Sequence, residues 1–349
     1  MWSSLNDAMP LYAVYALLFS DAGLSTSAIS LLFLIWSATA VVLEVPTGAL
    51  ADRFTPRATL VVAGGVRAAG YALWILTPTF AGFAAGFVLW GAAGSLESGA
   101  FQSLLYSGLD RHGAADRYAG VLGRSVAMAG VVEVGATLAA APLLFAGGTA
   151  LVGWVSVAVC LAGSLVAAGF PPTDAGGPTG PDDDAPAGYL YLLRSGVREA
   201  WEHAPVRRLV VLLAATMGLT AVDEYVPLLA RAAAVPDPWI PVVLAGLPLA
   251  AAAGNALAGA ASKRHPATVA VPLVVSTALM VVTAATRHPT ALLGLVGLWY
   301  MAVNLATILA DARLQEAVTG PARATVTSVA GLGAEVVAIG MFLAVATLA

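Results

Sequence analysis

Six carboxyl side chains interrupt the apolar runs of this chain: Glu44, Glu97, Glu133, Asp223, Glu224 and Glu335. Only one base, Arg67, lies clearly within such a run. An acid in hydrocarbon costs about 2.5–3.5 kcal/mol on insertion scales, so each needs a partner, an aqueous cavity or a proton. With acids this far in excess, one guanidinium cannot compensate them all. Some must be protonated or face water, because burial disfavours the charged form of a carboxyl. The chemistry these residues offer is proton exchange and attraction of cations. Asn255 and Asn304 add hydrogen-bonding groups to the second half of the chain, though such residues more often join helices. Trp90, Trp299 and Tyr300 read either as cavity lining or as packing.

The elements that carry these residues are membrane spans. The chain is 59% hydrophobic and only 10% charged, with a mean hydropathy of +0.86 over its 349 residues. A soluble chain carries about 25% charged residues, so lipid must be the solvent here. The net charge of −4 says little, because in a membrane the position of each charge outweighs the sum. The one cysteine, Cys160, forms no intrachain disulfide and reads as a small core residue. The start, Met1 to Asp7, lacks the basic region and cleavage site of a secretory signal, so the first apolar segment is expected to be retained.

A spanning helix needs about 20 apolar residues. Charged and Pro/Gly-rich breaks delimit spans near 3–20, 26–50, 58–77, 80–106, 118–145 and 148–170, then near 207–231, 238–262, 266–286, 289–312 and 322–349. The expected fold is an all-α polytopic membrane protein of six plus five helices. Lys and Arg gather in alternate loops: Arg53 and Arg57, Arg111 and Arg117, Arg194 to Arg208, Lys263 and Arg264, Arg313 and Arg323. Only Arg231 and Arg287 occupy the opposite side. The positive-inside rule then places the N-terminus in the cytoplasm of a multi-pass protein of the inner (plasma) membrane.

Residues 1–170 form an expected N-terminal six-helix bundle and residues 207–349 a C-terminal bundle of five. Between them, 171–206 begins with a stretch holding Asp182, Asp183 and Asp184 among prolines and glycines, too polar and helix-breaking to pack. It reads as a cytoplasmic linker. Leu190, Leu193, Val197 and Trp201 then recur at helical spacing, which predicts an amphipathic helix on the membrane surface or an extension of the next span.

One loop is more specific. Gly48, Leu50, Ala51, Asp52, Arg53, Arg57 and Leu60 stand at the exit of the second span, with Thr55 and Pro56 between them. The stretch resembles the signature G-x-L-A-D-R-x-G-R-[RK]-x-x-L between the second and third helices of major facilitator superfamily transporters. Thr55 and Pro56 depart from it, replacing Gly and Arg. Glu44 to Gly48, Ser98 to Ala100 with Leu104 to Tyr106, and Asp223 to Tyr225 with Pro227 look like a bacterial group of drug and metabolite exporters in that superfamily.

The resemblance implies two six-helix bundles, so a twelfth helix is missing from the expected pattern. It further implies alternating access, with Gly48, Asp52, Arg53 and Arg57 as a cytoplasmic latch in which Asp52 meets the N-terminus of the eleventh helix. Glu44, Gly48 and Asp52 step by four and share one helix face, with Glu44 about 12 Å deeper than Asp52. Glu44 reads either as a cavity-side carboxyl or as a structural acid paired to Arg67. Glu133 and Glu335 fall midway along the fifth and eleventh spans, where a repeat-built transporter places its substrate or proton. The fifth span has only a loose approximation, Gly130, Gly135 and Pro142, to the antiporter motif of proton-coupled exporters.

The expected function is therefore secondary active transport, proton-coupled export of a small organic molecule. The partners are the lipid bilayer, a small-molecule substrate and protons, and the chain is expected to be a monomer. The rival class is a transporter-like receptor or assembly factor. There is no HExxH, Walker loop, G-x-S-x-G or paired cysteine, so no enzyme, cofactor or metal site is expected. His112, His203, His265 and His288 all lie in loops without ligand spacing, and acidity and burial exclude nucleic acid.

Overall fold

The computed structural model describes residues 2–51, 55–97, 100–171, 203–262, 267–285, 288–318 and 323–348. Every regular element among them is helical. Two compact units account for the packing: Met1–Pro186 with Val345–Ala349, and Ala187–Ala344. The linker centre and the predicted amphipathic helix, 172–202, lie outside the described residues.

Eight helical segments among the described residues are long and apolar enough to cross a membrane. Their outward faces carry large apolar side chains, such as Val131 at 69% and Leu165 at 74% exposure. That is the inverse of a soluble surface, and lipid is its natural cover.

The first unit begins with α1, Trp2–Asp7, a 3₁₀ turn at Pro10–Ala13 and α2, Tyr15–Asp21. The first predicted span is thus not a continuous helix. Pro10 has no N–H to donate, which opens the chain at Ala8 and Met9. Next come α3, Thr26–Ala51, α4, Pro56–Leu76, α5, Phe80–Glu97, and α6, Ala100–Arg111. Helix α7 runs Tyr118–Ala168 and carries two spans, divided at Gly147 and Gly148. Gly148 has φ +64°, left-handed backbone that glycine adopts at little cost, and this lets the chain turn back into the membrane.

Helices α4 and α5 cross closely because both are glycine at the contact. A Cβ on Gly70 would lie 2.9 Å from the Gly86 carbonyl oxygen. Such small-residue crossings are how helices pack where lipid removes the hydrophobic drive. Around the crossing, Tyr15, Phe19, Trp74, Phe87 and Trp90 form one aromatic core, with Trp74 donating its indole N–H to the Phe83 carbonyl at 2.9 Å.

The second unit contains α8, Ala204–Leu219, a 3₁₀ turn at Thr220–Tyr225, and α9, Val226–Ala232. After a short turn at Asp237–Trp239 come α10, Ile240–Leu244, and α11, Gly246–Ala261. Helices α12, Ala267–Ala285, and α13, Pro289–Ala317, with α14, Arg323–Leu348, as far as Ala344, complete it. The seventh predicted span is therefore also broken, ahead of Pro227. Val206, Val210 and Leu213 of α8 bury against Ala310 and Leu314 of α13 and Val326 and Ala330 of α14.

Candidate functional site

Arg67 of α4 is the electrostatic centre of the first unit. Its side chain is 5% exposed, and its Nη2 forms an ion pair with Glu97 Oε2 at the end of α5. Its Nη1 donates to Asn6 Oδ1 at 2.5 Å and reaches the Asn6 carbonyl oxygen at 3.5 Å. The last carbonyls of a helix lack intrahelical donors, and α1 ends next to Asn6, so the guanidinium meets an acceptor the break has freed. Beyond the break, the Leu11 N–H donates to Ser156 Oγ of α7 at 3.0 Å. The interruption is thus held by side chains from two helices. A void of about 10 Å³ beside the pair, lined by Asn6, Arg67, Glu97 and Cys160 among others, has the size of one water molecule.

Opening past this pair is a cavity of about 480 Å³ within the first unit. Trp2, Asn6 and Asp7 line it from α1, Glu97 from α5, Phe101 and Gln102 from α6, and Ser125, Gly130 and Glu133 from α7. It holds three carboxyl groups and no basic side chain in its described lining. Glu97 presents Oε1 as a buried oxygen with no hydrogen-bond partner among the described residues. Trp2 and Phe101 stack at 5.1 Å between ring centroids, giving the cavity an aromatic wall. Negative charge beside an aromatic face is the chemistry that attracts an organic cation.

In the second unit, Asp223 lies in the 3₁₀ turn and accepts a hydrogen bond from the Tyr300 hydroxyl of α13 at 3.1 Å. Asn304 donates its side-chain N–H to the Tyr300 carbonyl at 2.8 Å, a local helix bond. Trp299 donates to Thr277 Oγ1 at 2.9 Å, joining α13 to α12. Glu224 is half-buried beside Asp223, Glu335 is half-buried on α14, and Asn255 is exposed on α11.

Of the signature-loop residues, Arg57 donates to the Ala168 carbonyl at the end of α7. Asp52 and Arg53 lie outside the described residues, as do the side chain of Glu44 and the surroundings of Gly48 in α3. The two departures from the signature have a local role. Thr55 is the N-cap of α4, its hydroxyl accepting the Ala58 N–H at 3.2 Å, and Pro56 occupies the first turn. Both are preferred residues at those positions.

The sequence pattern of the Major Facilitator Superfamily matches residues 2–345. The chain belongs to the Major Facilitator Superfamily. As an MFS protein it is a membrane transporter of the superfamily's helical fold. Its structure is similar to that of the nucleoside transporter NupG, with a TM-score of 0.73 at 12% identity over 99% of this chain and 87% of that one. A bacterial homologue of the iron transporter ferroportin in an inward-facing state gives 0.70 at 13% identity, covering 99% and 88%. A bacterial homologue of the human lysosomal transporter Spinster gives 0.71 at 19% identity, covering 98% and 78%. No curated protein matches the chain's sequence. At these identities the likeness carries the MFS fold and not a substrate.

The polar residues of α1 are absent from the sequence-based candidates. Asn6 and Asp7 sit at the edge of the first apolar run, where they read as a terminus, and Gln102 sits within the apolar span near 80–106. The available signal was Pro10, a helix breaker three residues beyond Asp7.

Proposed function

We propose that this MFS protein is a secondary active exporter, working by alternating access, that moves a small amphipathic organic cation in exchange for protons. The observation that supports this reading is the cavity with Asp7, Glu97 and Glu133 in its lining, an aromatic wall, and no basic side chain in its described lining. A positively charged group gains from every carboxylate there, and a proton competes with it for the same oxygens. Competition of this kind is what couples a cation to a counter-moving proton.

On this reading Glu97 and Glu133 belong to the cation and proton site, with Asp223, Glu224 and Glu335 as further candidates and Asn255 and Asn304 as hydrogen-bonding groups of the second half. Glu44 adds a carboxyl one turn ahead of Gly48. Gly48, Asp52, Arg53 and Arg57 form the cytoplasmic latch, residues 171–206 the cytoplasmic linker between the bundles, and the N-terminus faces the cytoplasm of the inner membrane. The protein works as a monomer.

The test is efflux or uptake of a panel of organic cations and neutral amphiphiles in proteoliposomes, with and without a pH gradient. Gradient-dependent movement of a cationic compound is the expected result. Transport without gradient dependence removes the proton, and no transport of any compound leaves the receptor or assembly role.

A further inference from the structure

The two broken helices carry the same eight-residue pattern. Asn6-Asp7-Ala8-Met9-Pro10-Leu11-Tyr12-Ala13 and Asp223-Glu224-Tyr225-Val226-Pro227-Leu228-Leu229-Ala230 agree at Pro, Leu and Ala, and each opens with an amide or acid followed by an acid. Burial agrees at seven of the eight positions and differs at one, where Leu11 is buried and Leu228 half-buried. Met9 and Val226 are 2% and 1% exposed, and Ala13 and Ala230 are 2% and 0% exposed. Pro10 and Pro227 are both buried, while the four polar residues are all half-buried.

In each unit regular helix fails just ahead of the proline, at Ala8 and Met9 in one and through the 3₁₀ turn Thr220–Tyr225 in the other. The first residue of each pattern is an acceptor bound to a donor on a neighbouring helix. Asn6 Oδ1 takes Arg67 of α4 at 2.5 Å, and Asp223 Oδ2 takes the Tyr300 hydroxyl of α13 at 3.1 Å.

We propose that these segments are one device used twice, in which Arg67 and Tyr300 are positioning residues that clamp the first residue, fix the interruption before the proline, and so place the adjacent carboxyl, Asp7 or Glu224. The clamp is needed because an interrupted turn inside a membrane leaves backbone groups without helical partners, so without a tie from a neighbouring helix it frays and its N–H groups exchange. Asp7 is placed on the cavity lining, faced by Glu97 of α5 and Glu133 of α7, with Arg67 of α4 behind it. Glu224 follows directly on the clamped Asp223, with Tyr300 of α13 as the donor there. The carboxyls' role in coupling rests on the proton-exchange reading above; the clamp does not.

If the segments are equivalent, each unit accepts the other's residues at the first two positions. Backbone hydrogen exchange on the purified full-length chain in detergent tests the clamp without any substrate. Asn6→Ala is expected to raise exchange at 8–13 at least fivefold, and Asp223→Ala or the milder Tyr300→Phe to do the same at 223–230. Asp223→Asn and Asn6→Asp, which install the other unit's residue, are expected to stay within twofold of the parent chain. Alanine variants that leave exchange unchanged, or exchanged residues that open the turn as far as alanine does, overturn the device.

The carboxyls are read separately with ethidium in proteoliposomes. Asp7→Glu and Glu224→Asp are expected to retain gradient-driven movement, while Asp7→Asn and Glu224→Gln lose it at least tenfold and keep gradient-free exchange. Unimpaired gradient-driven movement in Asp7→Asn or Glu224→Gln overturns the carboxyls' placement in the device. Failure of the parent chain to move any organic cation counts against the export reading and leaves the exchange result to decide the clamp.

Discussion

Arg67 and Glu97 form an ion pair whose side chains are 5% and 10% exposed, and the same guanidinium binds Asn6 at the break of the first helix. One charge thus ties together α4, α5 and α1. In the second unit the pair of Arg231 and Asp237 has side chains 27% and 47% exposed, and solvent screens it. The two ion pairs are chemically alike and energetically different.

Removing one partner of the buried pair strands the other. Arg67→Met is expected to lower stability by about 3–5 kcal/mol, since Glu97 then lies buried without a counter-charge. Arg67→Met/Glu97→Leu recovers most of the loss, because apolar residues replace the pair without desolvating a charge. Arg67→Lys recovers less, as one ammonium cannot reproduce the guanidinium fork to Glu97 and Asn6. Thermal unfolding in detergent of the full chain measures all three.

Glu133 lines the cavity from α7 and forms no ion pair among the described residues, so its charge is available to a ligand. Glu133→Gln is expected to weaken binding of an organic cation about tenfold or more, the size of a lost charge-assisted hydrogen bond of about 1.5–3 kcal/mol. Neutral amphiphiles should bind unchanged. Equal weakening of both classes, measured by equilibrium binding, points to a change of shape and not of charge.

Gly86 stands at the crossing of α4 and α5. A Cβ there would lie 2.8 Å from the Gly70 carbonyl oxygen and collide with the Trp74 indole that bonds Phe83. Gly86→Ala is expected to cost about 1–3 kcal/mol by overpacking. Gly340→Ala on α14 meets nothing within 4 Å and should be neutral or slightly stabilising. Paired melting curves of the two variants check the contrast.

Thr55 caps α4 through the Ala58 N–H. Thr55→Ala should lower stability by about 1 kcal/mol, and Thr55→Ser should restore it. Thr55→Gly, which returns the superfamily's residue to this position, should cost only a few tenths of a kcal/mol, because glycine is itself tolerated as a cap. Unchanged melting in Thr55→Ala shows that the cap bond carries no net stability.

The sequence by itself determined the class of this molecule. Spans, breaks and the exit loop after the second helix are local properties, since hydropathy over about 20 residues decides whether a segment enters lipid. The loop residues Gly48 to Leu60 were enough to indicate the superfamily, and the excess of carboxyls over Arg67 was visible from composition and position alone. The interruptions were only half legible. Pro10 and Pro227 are plain in the sequence, but a proline near a span end is also compatible with an intact helix that starts there, as at Pro56.

Tertiary structure alone decided which residues meet. Glu97 and Glu133 are equally eligible partners for Arg67 along the chain, and only the rotation and crossing of α1, α4 and α5 bring Glu97 and Asn6 to the guanidinium. The same packing gathers Asp7, Glu97 and Glu133 around one cavity, from helices more than 30 residues apart in sequence. Spans follow from the free energy of transferring a segment to lipid, which sums residue by residue. Pairing follows from close packing of whole helices, which no single segment contains.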